Sequence, residues 1–387
     1  MRSVHLVGYF LISMMRTRGL ARLSRVQAGV VNERVLHFIR DDLLTLTLVP
    51  GMPGVTGNKA RKFAELHRAI SNSPGVKHKL FASYGGPQSN SMLALSYMVR
   101  AARALNKDCR FVYFTKKLPA FLSINRDSRT PSPTSNLGVA LQNGMQLREI
   151  PLTVYNELVA SPKTSCGFPK SLVSTWFPDW EADTCYWVPQ GGAFAEAEDG
   201  VRQLVDELAE FISTEESSIS SSSSSSISSA GSGKNRPWKL IIASGTGTTA
   251  LFAARCVSRL RLTANLCEVI AIPCIGSRES LLAQMAELDL VSGDCRVFPT
   301  VLGDSEDGRA RIFANPYAEH LGLWKSLRAE SGIDFDLVYA PRAWEILLAS
   351  QVWKDDSARI IYYCCGGAEG TESQLGRYRH AGYNITQ

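Results

Sequence analysis

Hydrophobic positions along this chain fall into short unbroken runs separated by longer amphipathic stretches. The runs KLFASY (79–84), CRFVYFT (109–115), KLIIAS (239–244), EVIAIPC (268–274) and ARIIYYCC (358–365) have little polar alternation. Between them, residues 60–71, 90–105, 196–212, 248–261 and 278–288 repeat apolar positions at helical spacing. Apolar strands alternating with amphipathic helices predict an α/β fold whose parallel sheets are covered on both faces. One segment breaks the pattern. Residues 213–233, STEESSISSSSSSSISSAGSG, read as a flexible insertion in a surface loop, because the flanking elements look like consecutive parts of one fold.

Composition narrows the function classes. The 387 residues are 45% hydrophobic and 20% charged, enough for about two domains. The net charge of +6 owes much to Arg2, Arg16, Arg18, Arg22 and Arg25, and no acid precedes Glu33. The rest of the chain is near neutral, so it carries no electrostatic footprint for nucleic acid. Residues 1–30 have the character of a transit peptide, with a mitochondrion as the expected destination and plastid or cytoplasm as alternatives. The apolar run from Val4 to Met15 is too short to span a bilayer, and no membrane association is expected. Nine scattered cysteines without a CxxC pair read as reduced structural thiols. Six widely spaced histidines give no metal-ligand spacing, and no metal is expected.

Two features carry chemistry. In Gly57-Asn58-Lys59-Ala60-Arg61-Lys62-Phe63, three cations occupy four positions just after the Gly/Pro-rich loop PGMPGVTG. They could form a solvated helix start, or one of them could be reactive. Four glycine-rich turns also sit where strands meet helices, the usual place for ligands in such folds. They are SYGGPQSN (83–90), PQGGA (189–193), SGTGTT (244–249) and CGGAEG (365–370). The third suggests a phosphate, because glycines expose several N–H groups to one anion and a helix N-terminus adds its dipole. It lacks the lysine of a Walker loop and is not GxGxxG, so it does not suggest a nucleoside triphosphate. A ligand-free helix cap is the plainer reading there. Ser89 and Asn90 likewise read as N-caps or as the seat of a carboxylate.

In this order, GNKARK, GGPQSN, SGTGTT and CGGAEG resemble the 1-aminocyclopropane-1-carboxylate deaminase and D-cysteine desulfhydrase family of fold-type-II pyridoxal-phosphate enzymes. Arg40-Asp41-Asp42-Leu43 matches the segment that family places before its lysine, and the resemblance covers roughly residues 35–380. It implies two parallel-sheet, three-layer domains of the tryptophan synthase β type with the cofactor between them. The larger would comprise residues 33–75 and 190–387 and the smaller 76–189. It also implies a homodimer acting on a small amino acid.

By the same resemblance Lys59 joins covalently to pyridoxal 5'-phosphate, its pKa lowered by the neighbouring cations Arg61 and Lys62. Asn58 and Asn90 lie near the cofactor, and Gly245, Thr246, Gly247, Thr248 and Thr249 form its phosphate cup. Ser89 is a catalytic serine beside the substrate, and Ser89, Asn90 and Ser91 hold the substrate carboxylate. Tyr339 is a catalytic tyrosine on the substrate side, with Tyr317 as a second. One position departs from the ring-opening deaminases: Ala340 stands where they carry a glutamate on the pyridine nitrogen. Thr371, Ser373 or Glu345 would have to serve instead. A weaker electron sink favours loss of a good leaving group, so elimination of hydrosulfide from cysteine is expected over cyclopropane opening.

Overall fold

A computed structural model describes residues 25–72, 80–105, 108–118, 133–160, 175, 185–222, 236–260, 267–303 and 311–385. In chain order the strands are β1 (Val26–Val31), β2 (Arg34–Arg40), β3 (Thr45–Leu46), β4 (Val55–Thr56), β5 (Leu80–Tyr84), β6 (Arg110–Lys116), β7 (Gln146–Ile150), β8 (Cys185–Val188), β9 (Trp238–Ser244), β10 (Cys267–Pro273), β11 (Thr300–Val301) and β12 (Arg359–Cys364). A six-stranded sheet has the order β1-β2-β12-β9-β10-β11, and a four-stranded sheet the order β7-β6-β5-β8. Every pairing in these two sheets is parallel except β1 with β2. All five residues of β5 are buried, as an unbroken apolar run requires of a strand covered on both faces. The fold is α/β, with one wholly parallel sheet and one parallel apart from its edge strand β1, close to what the hydrophobic pattern predicts.

Two expectations need correction. The supposed leader 1–30 overlaps β1, which pairs with β2 from Val26 through Val31. Asn32 and Glu33, both at positive φ (45° and 63°), make the tight turn between them, the geometry that matches strand twist in a two-residue hairpin. Residues 1–24 lie outside the described residues. The serine tract is not irregular from its start, because the helix Ala197–Ser222 runs through its first ten residues. Glu216 explains the extension: its carboxylate accepts from the Trp238 indole N–H at 3.1 Å and pairs with Arg359, tying the helix to the starts of β9 and β12. Residues 223–233 of the tract lie outside the described residues.

The short hairpin β3–β4 brackets the loop before the three cations and delivers the chain into the helix Asn58–Lys62. That helix packs on Ala197–Ser222, which in turn packs on Thr248–Arg259.

Candidate active site

The four glycine-rich turns follow β5, β8, β9 and β12, and all four line one cavity of about 520 Å³ between the two sheets. Lys59 opens onto it. Its seat is made by two glycine turns in van der Waals contact: a Cβ on Gly57, which has φ 66°, would stand 2.4 Å from the carbonyl oxygen of Cys365. Only glycine allows that approach, and it lets the Asn58 N–H donate to the Cys365 carbonyl at 2.8 Å. Lys59 Nζ donates to the carbonyl of Gly191 at 3.2 Å, and Lys62 Nζ to the same oxygen at 3.3 Å.

The three crowded cations have different fates. Burial pulls the Lys59 amine down to about 8, partly opposed by the Cys365 thiol. Burial, and then the charge of Lys59, holds Lys62 well below an ordinary lysine. Arg61 turns away from the cavity. Its guanidinium, 2% exposed, meets Asp41 at 2.7 Å and Glu207 at 2.6 Å, and the Tyr363 hydroxyl donates to the same Asp41 carboxylate. The expected lowering of Lys59 by neighbouring cations is therefore replaced by desolvation, because Arg61 is neutralised by two carboxylates.

Across the cavity, Ser89 caps the helix Asn90–Ala104, its hydroxyl oxygen accepting from Met92 N–H at 3.2 Å. The amides of Asn90 and Ser91 have no acceptor among the described residues. The Ser91 hydroxyl, buried against the cavity, has none either. Asn136 donates to Asn90 Oδ1 at 2.8 Å and to the Gln88 carbonyl at 3.1 Å, fixing the side chain of Asn90. The Tyr113 hydroxyl donates to the Gly86 carbonyl at 3.2 Å, holding the turn itself.

After β9, Gly247 adopts φ 71° at the start of the helix Thr248–Arg259, and no side chain caps that helix. Its first amides stay open toward the cavity, with the positive end of the helix dipole behind them. The Thr246 and Thr248 hydroxyls share a hydrogen bond of 2.9 Å. Tyr339 lines the cavity between this loop and Phe313, whose ring centroid is 5.1 Å from its own, and burial keeps its phenol protonated.

Thus Asn58, Lys59, Ser89, Asn90, Ser91, Gly245, Thr246, Gly247, Thr248, Thr249 and Tyr339 all line the one cavity. Tyr317 does not. Its hydroxyl accepts from the Ile312 N–H at 2.9 Å, and its ring lies under Arg311. Thr371, Ser373 and Glu345 are also absent from the lining; Glu345 is held by Arg311, Arg342 and His320.

In their place the cavity presents Asp336, Cys365 and Arg377, which the sequence reading did not single out as site residues. Asp336 Oδ1 accepts from the amides of Val338 and Tyr339, and burial raises its carboxyl to about 6 despite those bonds. Cys365 belongs to a quoted turn, so its place at a strand end was a usable signal. Asp336 and Arg377 carry no such signal, since neither sits in a glycine-rich turn.

No protein-family description and no curated protein matches this chain. Solved structures do. An ACC deaminase homologue superposes with TM-score 0.60 at 18% identity, over 92% of this chain and 94% of that one. An L-serine ammonia-lyase from Rhizomucor miehei gives 0.54 at 14%, over 93% and 98%. The processed form of threonine deaminase isoform 2 from Solanum lycopersicum gives 0.52 at 11%, over 99% and 90%. The chain has the fold-type-II fold. At these identities the likeness fixes the arrangement of the two sheets and the cleft between them, while the chemistry rests on this chain's own side chains.

Proposed function

We propose that this chain is a pyridoxal-phosphate-dependent lyase that converts D-cysteine and water to pyruvate, hydrogen sulfide and ammonia. The observation that carries the reading is the Lys59 amine, lowered by burial to about 8, in the same cavity as the uncapped helix N-terminus at Gly247. The residues fit the cofactor. A desolvated lysine suits its aldehyde, and the open amides and hydroxyls of Gly245–Thr249 suit its phosphate. The orphaned Ser91 hydroxyl needs a polar partner from a ligand.

When bound, pyridoxal phosphate supplies an electron sink for the bonds broken at the α-carbon. The side chains do the rest. Lys59 Nζ keeps a substantial neutral fraction near pH 7.5 and takes the α-proton. The free amides of Asn90 and Ser91, at a helix N-terminus, receive the α-carboxylate. Ser89 accepts from the Met92 N–H and its hydroxyl meets the Tyr113 phenol, which places it at the substrate end of the cavity. Tyr339, held as a phenol, donates from the facing wall.

The rival reaction is ring opening of 1-aminocyclopropane-1-carboxylate, after the neighbour named as an ACC deaminase homologue. Ala340 counts against it, being buried and without a polar side chain. The test is sulfide and pyruvate release by cofactor-loaded protein from D-cysteine and L-cysteine, with 1-aminocyclopropane-1-carboxylate assayed for ketobutyrate. Lys59→Ala serves as the blank. Lysine-dependent sulfide from D-cysteine supports the reading. Ketobutyrate without sulfide would replace it with the deaminase, and a visible cofactor absorbance with no turnover would make the chain a binding protein.

A further inference from the structure

Arg377 has no partner suited to its charge. It lies on the helix Thr371–His380 and lines the cavity. One of its terminal nitrogens, Nη1, donates to the Ala314 carbonyl at 3.3 Å, while its Nε is buried with no acceptor. No carboxylate pairs with it among the described residues. Burial alone pulls its pKa down, with no countercharge opposing the shift. A half-buried guanidinium facing a cavity without an anion is costly unless a ligand brings one.

Its surroundings connect it to the substrate side of the cavity. Gln88 Nε2 donates to Gln374 Oε1 at 2.8 Å, and Gln374 Nε2 donates to the Ala314 carbonyl at 3.1 Å, the same oxygen that Arg377 uses. Arg377 is therefore tied, through two glutamines, to the turn that carries Ser89 and the open amides. Ala314 holds its carbonyl there from a strained φ of 59°, so the wall is fixed rather than adaptable. The α-carboxylate already has its own donors at Asn90 and Ser91. The guanidinium fork remains over, and its planar geometry matches a carboxylate.

We propose that Arg377 recognises a second carboxylate, carried on the sulfur substituent that leaves, so that the site favours carboxylate-bearing cysteine thioethers over cysteine itself. This rests on the lyase reading. The reaction balances without any further reactant: the thioether and water give pyruvate, ammonia and a thiol that keeps the carboxylate.

The test compares S-carboxymethyl-D-cysteine with S-propyl-D-cysteine and D-cysteine, for wild type, Arg377→Gln and Arg377→Lys, following pyruvate. Wild type should show a KM for the carboxymethyl compound at least about tenfold below that for the propyl compound, the range of a charge-assisted hydrogen bond. Arg377→Gln should abolish that difference, Arg377→Lys should restore part of it, and D-cysteine should change little in either. Equal losses on all three compounds would overturn the proposal and make Arg377 a strut for the wall. Calorimetric binding of the same two thioethers to the cofactor-loaded protein carries the comparison even without turnover. Failure to take up cofactor at all would refute the lyase reading instead, and visible absorbance distinguishes that case.

Discussion

Whether Lys59 is activated by burial or by its cationic neighbours can be decided by removing Lys62. An ordinary lysine titrates at 10.5, and Lys59 is lowered to about 8. At pH 7.5 those values leave about 24% of the Lys59 amine neutral, against roughly 0.1% for the ordinary group, a gain of about two hundredfold in nucleophile. The lowering comes from desolvation, opposed only by Cys365, and the charge of Lys62 is not among its causes. Lys62→Met should therefore leave the Lys59 midpoint near 8, whereas activation by neighbouring charge requires a rise toward 10.

The assay is the initial rate at which cofactor-free protein takes up pyridoxal, which has no phosphate to confuse the reading, followed by visible absorbance from pH 6 to 10. Lys59→Ala gives the background. The neutral amine is the reacting form, so the rate should climb with pH and level off above about 8 in both wild type and Lys62→Met. A midpoint near 10 in the variant, or in wild type, would refute the desolvation account. Cys365→Asp should move the midpoint upward, since Cys365 already opposes the shift and a full charge there would favour the ammonium.

Three other outcomes follow from the same geometry. Arg61→Met strands Asp41, which is 0% exposed, and should cost about 3–5 kcal/mol in urea unfolding. Adding Asp41→Leu should recover much of that, and a single variant as stable as wild type would contradict the buried triad. Gly247→Ala forces a side chain onto φ 71° with its Cβ 2.4 Å from Met285 Cγ. It should lower stability by about 1–3 kcal/mol and weaken pyridoxal phosphate more than pyridoxal, as competition binding would show. Ala314→Gly relieves φ 59° and should leave stability unchanged or raised by up to about 1 kcal/mol; a loss larger than that in thermal melts would mean the wall is not strained.

Much of the fold was legible because the signals are local. β5, β6, β9, β10 and β12 are runs whose burial follows from their own composition, and the turns after β5, β9 and β12 announce themselves by glycine. β1 was missed because Val26-Gln27-Ala28-Gly29-Val30-Val31 alternates only weakly, and it forms by pairing with β2, which already has β12 on its other edge. The site was legible wherever a residue's role depends on its neighbours in sequence, as with Lys59 in its helix or Ser89 at its cap. It was illegible where the role comes from convergence. Asp336 reaches the cavity from the loop before the helix Ala340–Ala349, and Arg377 from a polar helix with no apolar run to mark it. The depressed amine was expected for the wrong reason, because sequence shows that Arg61 is near Lys59 but not that Asp41 and Glu207 have neutralised it.

The charges around the cavity argue for more than one anion. Asp42 is paired with Arg40 and Asp334 with Arg328, so neither offers a free negative charge to a ligand. Asp336, with its carboxyl raised to about 6 and two amides on one oxygen, serves its own backbone turn first. Against these stand Lys59, Lys62 and Arg377, with no carboxylate partner among the described residues, and two helix N-termini with open amides. A neutral ligand would leave this excess uncompensated in a partly desolvated space, where charge is expensive. A phosphate at one N-terminus and an α-carboxylate at the other use the amides and the lysines. They leave the guanidinium of Arg377 without a partner, and a second carboxylate on the substrate is the anion that completes the set.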